Sequence, residues 1–232
     1  MLTYQVTMRE DVDSGENYFA KLAVRRFAEG EMVLNAGDRL DHLYYVEKGV
    51  VRSFYIDEKG NELTINLLKV KGVFPLSSVI AGKDNIYYFQ AFTDVEVKIT
   101  RTDDFLKYLE NNCKFKGIIL SRFAIGLEGY LVRSFYLIKG SAMQKVASTF
   151  IMLVSRFGKK TKDGVLIDLP LTHQNIADLA GITRETASIQ IEMLEKERLI
   201  VRNGRKTKII NYKSLSKKAM VGEDGSLLNL SF

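Results

Sequence analysis

Cysteine is nearly absent: the 232-residue chain has one, Cys113. A lone thiol excludes an internal disulfide, and it excludes a cysteine-ligated cluster or a four-ligand zinc site within the chain. Histidine is almost as scarce, with His42 and His173 far apart in sequence, so no metal and no cofactor is expected. His42 reads as a surface residue at a strand entry rather than a haem ligand, and Cys113, near a helix start, as an inert thiol rather than a redox switch. No run of about 18 apolar residues occurs, the length a membrane helix needs. Met1–Ser14 is polar and acidic, without the basic start and apolar stretch of a secretory signal, and a cytoplasmic location is expected. Signatures of catalysis are missing too. There is no phosphate-binding loop, no Gly-x-Ser-x-Gly elbow and no cluster of metal ligands. Asp103-Asp104 reads as a helix start rather than a catalytic pair, and the expectation is a protein that is not an enzyme.

Apolar residues make up 46% of the chain, enough for a proper core, and its length allows one large domain or two modest ones. The net charge of +6 is spread unevenly. Residues 1–138 hold 18 Lys/Arg against 19 Asp/Glu, whereas residues 139–218 hold 16 against 7. A basic segment beside a neutral one suggests that one domain meets a polyanion and the other does not.

Residues 20–100 read as short strands broken by turns. Met32–Leu34, Leu43–Val46, Val50–Ile56, Leu63–Leu68, Tyr87–Ala91 and Val95–Thr100 are apolar or alternating, with glycines between them. This pattern predicts a sandwich or barrel, with a hairpin turn at Asp57–Asn61. From Arg101 to Ile138 the period becomes helical. A short helix is expected around Phe105–Leu109, capped by Thr102 and ended at Asn111-Asn112, followed by a long helix over about 115–138. At 1.5 Å per residue the long helix spans roughly 35 Å. Ile119, Gly126, Tyr130 and Leu137 fall near one heptad-like seam, and with Phe123 and Leu127 they are the candidates for contact with a second copy of the chain. Ser141 is placed to cap a helix over 142–157, Gly158–Gly164 reads as a basic loop, and Val165–Leu169 as a strand. The expected domains are 1–110, a long helix over 111–139, and 140–232, with the hinge near Lys139–Ser141.

The informative segment runs from Leu171 to Ile200. Thr172 can cap a short helix whose buried face is Ile176, Leu179 and Ala180, and Gly181 permits a left-handed turn. Thr183 can cap a second helix, with Thr186 at its third position and Ala187, Ile191 and Leu194 at i, i+4, i+7 facing the core. Two short helices joined by a glycine turn make a helix-turn-helix, whose second helix enters the major groove with its N-terminal residues first. Arg184 and Glu185 open that helix. An arginine there can bond guanine O6 and N7, a glutamate can accept from a cytosine amino group, and Ser188, one turn on, can reach a base. Thr172, His173, Gln174, Thr183 and Thr186 sit where they can touch the DNA backbone. Beyond the helix, β-rich runs flank Asn203-Gly204, a strong hairpin signal. With Arg202, Arg205, Lys206 and Lys208 on it, this hairpin reads as the wing of a winged helix lying along phosphates.

These residues resemble the Crp/Fnr family of bacterial transcription regulators. The likeness is strongest in Leu171–Ala177, in Gly181–Thr186 (Gly-Ile-Thr-Arg-Glu-Thr) and in Met193–Ile200. It is looser in Gly30-Glu31, Ala36–Asp38, Tyr44–Gly49 and Gly60. The resemblance implies an α+β fold: an N-terminal β-roll (a cyclic-nucleotide-binding-like jelly roll), a long dimerisation helix and a C-terminal winged helix-turn-helix. It also implies a homodimer on palindromic promoter double-stranded DNA, under control of an effector, and contact with RNA polymerase through Lys159–Gly164.

The chain departs from the family pattern at two places. The family usually has an arginine four residues after the recognition-helix glutamate, and here that position is Ile189, with Gln190 turned away from Arg184. One guanine contact is therefore absent, and the half-site is expected to differ from the usual one. The effector region lacks the Gly-Glu and Arg-Ser pairs that hold ribose and phosphate in cyclic-nucleotide binders. It reads Gly72–Ser78 and Asn85–Gln90 instead, so cyclic AMP is not the expected effector. Phe74, Ser77, Ser78, Tyr87, Tyr88 and Phe89 are the candidate lining of a different, small-molecule pocket, the alternative being that these aromatics are core. A sensing adaptor whose winged helix docks on protein rather than DNA is the second reading, against which the basic wing argues.

Overall fold

The computed structural model describes residues 16–220, which form two compact units, 16–124 and 125–220. The acidic Met1–Ser14 segment lies outside the described residues, as do the outer ends of the domains expected at 1–110 and 140–232. In chain order the first unit contains helix α1 (Glu16–Ala20), strands β1 (Val24–Phe27), β2 (Met32–Leu34), β3 (His42–Lys48), β4 (Val51–Ile56), β5 (Glu62–Leu68) and β6 (Val73–Phe74), helix α2 (Leu76–Ala81), strands β7 (Tyr88–Ala91) and β8 (Val95–Arg101), and helix α3 (Thr102–Asn111). Helix α4 (Cys113–Lys139) runs from the first unit into the second. The second unit continues with α5 (Ala142–Phe157), β9 (Gly158–Thr161), β10 (Gly164–Ile167), α6 (His173–Ala180), α7 (Arg184–Lys196), β11 (Ile200–Asn203), β12 (Lys206–Ile209) and α8 (Tyr212–Lys218).

The eight strands of the first unit form two four-stranded antiparallel sheets, ordered β1-β8-β3-β6 and β2-β7-β4-β5. Their facing sides meet in a core that includes Phe27, Tyr44, Val46, Val51, Phe74, Phe89 and Val97. Within it Phe74 stacks on Tyr44 at 5.2 Å and on Phe89 at 4.8 Å. The expected β4–β5 hairpin forms, and the Asp57 carboxylate accepts from the backbone N–H of Lys59 and Asn61, both at 2.8 Å, which closes the turn. Gly49, in the turn after β3, has φ +83°, and a Cβ there would stand 2.2 Å from the Asp94 carbonyl oxygen. Only glycine fits that approach.

Among the elements that escape the sequence pattern are three short ones of the first unit. Strand β1 reads Val24-Arg25-Arg26-Phe27 and buries only its last residue, β6 has two residues, and α2 has six. None is long enough to show a period. Thr102 begins α3 rather than capping it: its hydroxyl donates to the Leu40 carbonyl. Asn112 ends α3, as expected, and its side chain accepts from the Phe115 N–H at 2.9 Å to start α4. The outer side of the first sheet packs on the helices, with Phe19, Leu43, Tyr45, Phe105, Phe115 and Ile119 in one buried cluster.

In the second unit, α5 is the central helix, and Val146, Phe150 and Leu153 are fully buried. Ser141 caps it through a reciprocal pair with Gln144, as its sequence predicts. The segment expected to be a basic loop is instead strand β9, which pairs with β10 and extends the wing into a four-stranded sheet, β11-β12-β10-β9. Its four residues are all exposed, so burial gave no alternation to read. The two units divide between Ala124 and Ile125, inside α4. The last turns of α4 belong to the second unit because Tyr136 is buried there and Arg133 Nη2 donates to the Leu179 carbonyl at 2.8 Å.

Phe74 fills the space between the two sheets, so Phe74→Ala should leave a cavity that the stacked aromatics cannot close. The expected loss of stability is about 3–5 kcal/mol, read from urea denaturation of the full chain.

Candidate nucleic-acid interface

Thr172 and Thr183 cap α6 and α7 through their own side chains, accepting from the N–H of Asn175 and Thr186. Each cap satisfies a donor that the first turn of a helix leaves open and fixes where the helix begins. Between the helices Gly181 takes φ +59°, the left-handed turn expected of it. Ile176, Ala187, Ile191 and Leu194 are fully buried. Seating Ala187, Ile191 and Leu194 in the core turns the other side of α7 outward, where Glu185 and Ile189 are exposed, while Arg184, in line with the buried stripe, is exposed because it opens the helix. Ser188 is half-buried at the edge of that face. Its hydroxyl bonds His173 Nδ1 at 2.7 Å, tying the start of α6 to the first turns of α7. Gln174 is exposed and reaches back to Asp178 at 2.6 Å, while the Thr183 and Thr186 hydroxyls lie 3.0 Å apart.

The hairpin β11–β12 turns at Asn203-Gly204, and Arg205 and Lys206 are exposed at its tip. Two of the four basic residues expected to face phosphates do other work. Arg202 turns inward: Nη2 donates to the Leu171 carbonyl, and its Nε and Nη1 are buried without a hydrogen-bond partner. Together with the Leu171 N–H, which donates to the Arg205 carbonyl at 2.7 Å, Arg202 fastens the wing to the start of the helix-turn-helix. Lys208 forms an ion pair with Asp163 at 3.0 Å, across the sheet on the β9–β10 turn. Sequence proximity to a hairpin tip could not distinguish these inward and cross-strand partners from phosphate.

Of the candidate effector residues, Phe74, Phe89 and Tyr87 lie together in or against the core between the sheets. Phe74 and Phe89 belong to the stacked core and Ser78 is buried, whereas Ser77 is exposed. Tyr87 is partly buried against that core, and Tyr88 stacks on Phe54, 5.3 Å away. Among the dimer candidates Ile119 is 4% exposed and belongs to the buried cluster that includes Phe105 and Phe115 of its own chain. Leu137 and Gly126 are half-buried, while Phe123, Leu127 and Tyr130 are exposed. The exposed apolar row of α4 lies one residue further on. Leu120, Leu127, Leu131 and Ile138 are each at least 60% exposed, and with Ala124 and Ser134, also exposed, they alternate at spacings of four and three. The spacing was readable in the sequence. Its phase was not, because α4 is apolar on nearly every side.

Comparison with known proteins accounts for both units. Residues 24–112 match the cyclic nucleotide-binding domain family, and residues 144–218 match the Crp-like helix-turn-helix domain family. The global nitrogen regulator of Synechococcus elongatus is 28% identical over 219 residues, covering 92% of this chain and 96% of that protein. The chain belongs to the Crp/Fnr family of transcription regulators. The structure of FixK2 from Bradyrhizobium japonicum has the same fold, with a TM-score of 0.75 and 20% identity over 85% of this chain and 97% of that one. TTHA1359, a Crp/Fnr regulator of Thermus thermophilus, superposes with a TM-score of 0.68 at 24% identity, covering 84% of this chain and 97% of that one. The architecture is thus α+β, with the β-roll, long helix and winged helix-turn-helix that the resemblance implied. Crp/Fnr proteins are regulators rather than enzymes, and they bind DNA, usually as dimers. Among the described residues no helix is long and apolar enough to cross a membrane, and no group of His, Cys, Asp and Glu could hold a metal ion.

His173 titrates below its ordinary value of 6.5, first because of burial and next because of the Arg202 charge. The folded chain therefore holds it neutral where the unfolded chain takes up a proton, and stability rises with pH across that interval. The winged helix should lose stability as pH falls below about 6.5. His173→Gln, which can still bond Ser188, should lose less on going from pH 7.5 to 5.5, as read from thermal denaturation.

Proposed function

We propose that the chain is a homodimeric regulator that binds palindromic promoter DNA by placing α7 of each copy in successive major grooves, about 34 Å apart. The observation that carries this reading is the pair Arg184 and Glu185, exposed in the first turn of a helix that Ala187, Ile191 and Leu194 seat in the core. Arg184 reads guanine, and Glu185 accepts from a cytosine amino group. Ser188, oriented by His173, supplies a hydroxyl beside them. Thr172, His173, Gln174, Thr183 and Thr186 line the helix starts that face the backbone, and Arg205 and Lys206 on the wing tip run along phosphates. Arg202 and Lys208 support the wing instead.

The partner copy packs along α4. A row at spacings of four and three is the pattern of a two-stranded coiled coil. It joins Leu120, Leu127, Leu131 and Ile138, with Phe123 and Tyr130 beside it. The exposed β9–β10 hairpin, carrying Lys160 and Lys162, is the surface offered to RNA polymerase. The signal that controls binding is not cyclic AMP. In support, Phe74, Tyr44 and Phe89 occupy the space between the sheets, and the ribose and phosphate ligands of the family's cyclic-nucleotide binders are missing from Gly72–Ser78 and Asn85–Gln90.

Two measurements test the proposal. In mobility-shift titrations, Arg184→Ala should lower specific affinity by about 10- to 100-fold per half-site, the equivalent of about 1–3 kcal/mol, while leaving weak, salt-sensitive general binding. Survival of full specific affinity, or no retardation of any DNA by the unaltered chain, would favour a winged helix that docks on protein. Leu127→Glu should give a monomer by sedimentation and reduce affinity for a two-half-site duplex at least about a hundredfold, because the second α7 no longer binds intramolecularly.

A further inference from the structure

We infer that Ile189 is a specificity-determining residue that reads the 5-methyl group of a thymine in each half-site. The inference rests on the DNA reading of α7. Ile189 stands one turn beyond Glu185, about 6 Å along the helix axis, and it is 57% exposed. Ala187, Ile191 and Leu194 hold the other side of the helix in the core, and the turn of 100° per residue puts Ile189 nearly opposite them, on the face that carries Glu185. A single exposed isoleucine is ordinary on a protein surface, and what marks this one is its place on the outward face of α7 one turn beyond Glu185. It sits in a segment with 16 Lys/Arg against 7 Asp/Glu, beside an arginine and a glutamate, where a polar residue would be better solvated.

The chemistry of the groove leaves one partner for it. Guanine and adenine present acceptors or an amino donor in the major groove, and cytosine presents an amino group. Thymine alone adds an apolar methyl. Isoleucine neither donates nor accepts, so it gains nothing from a guanine, adenine or cytosine edge, and it strips water from polar atoms it cannot satisfy. Against thymine it buries its own branched chain and the methyl together. The residue therefore selects twice, for thymine by apolar contact and against guanine by desolvation. Where a bidentate arginine at this position would read guanine, this chain reads thymine, on the side of the half-site reached by the second turn of α7.

The test uses the full-length chain and duplexes selected from a randomised double-stranded library. Each thymine of the selected site is replaced in turn by deoxyuridine, which removes only the methyl, and affinity is measured by fluorescence anisotropy. One thymine per half-site should be found at which the replacement weakens binding about fourfold, or about fifteenfold when both half-sites are changed, the worth of one buried methyl each. Ile189→Ala should abolish that difference while keeping the guanine preference set by Arg184. Ile189→Val should keep part of it, and Ile189→Arg should exchange the thymine for guanine on reselection. Indifference of the unaltered chain to the methyl at every thymine overturns the inference, and so does an Ile189→Ala variant with the same thymine-to-deoxyuridine ratio; in both cases the DNA reading stands. Failure to select any sequence overturns the DNA reading, and the inference falls with it.

Discussion

Burial of Ala187, Ile191 and Leu194 fixes the rotation of α7, and every assignment at the nucleic-acid interface depends on that rotation. Apolar burial is not directional, but a helix with three buried positions at i, i+4, i+7 has one orientation that removes all of them from water. Each fully buried leucine or isoleucine contributes about 1.5–3 kcal/mol. A rotation of one residue would expose them and lose most of that stabilisation. Glu185 and Ile189 face outward because the opposite side is committed, and Arg184 is exposed at the helix start. The caps at Thr172 and Thr183, the left-handed Gly181 and the His173–Ser188 hydrogen bond then set where α6 and α7 begin and how their N-terminal ends meet.

The same constraint acts on α4 with a different result. Phe115 and Ile119 are drawn into the cluster around Phe105, and Tyr136 and Arg133 are buried in the second unit. An apolar row from Leu120 to Ile138 is left in water, a row that a second helix would cover. One helix thus serves its own core on one side and carries a coiled-coil spacing on another. In the wing, a basic residue earns a phosphate contact only if nothing nearer claims it. Arg202 and Lys208 are claimed, by the Leu171 carbonyl and by Asp163. The electrostatic footprint of the hairpin is therefore narrower than its composition.

The β-roll has the fold of the cyclic nucleotide-binding domain family, and its interior is filled. Tyr44, Phe74 and Phe89 stack where facing sheets would otherwise leave room for a ligand. The fold of this domain does not by itself name its effector.

Much of this was legible in the sequence because local rules govern it. The Ser141, Thr172 and Thr183 caps, the turns at Asp57–Asn61, Gly181 and Asn203-Gly204, and the buried faces of α6 and α7 follow from hydrogen-bonding side chains, positive φ and a period of 3.6, all of which act over a few residues. The lone cysteine, the two histidines and the basic 139–218 segment likewise bounded the chemistry without any coordinates. Only the tertiary structure could decide the phase of α4, the pairing of exposed β9 into the wing sheet, and the inward turns of Arg202 and Lys208. It also placed Phe74 and Phe89 in the stacked core and left Ser77 exposed. Each of these depends on a partner far away in sequence, and no spacing within a segment reports which distant group will claim a side chain.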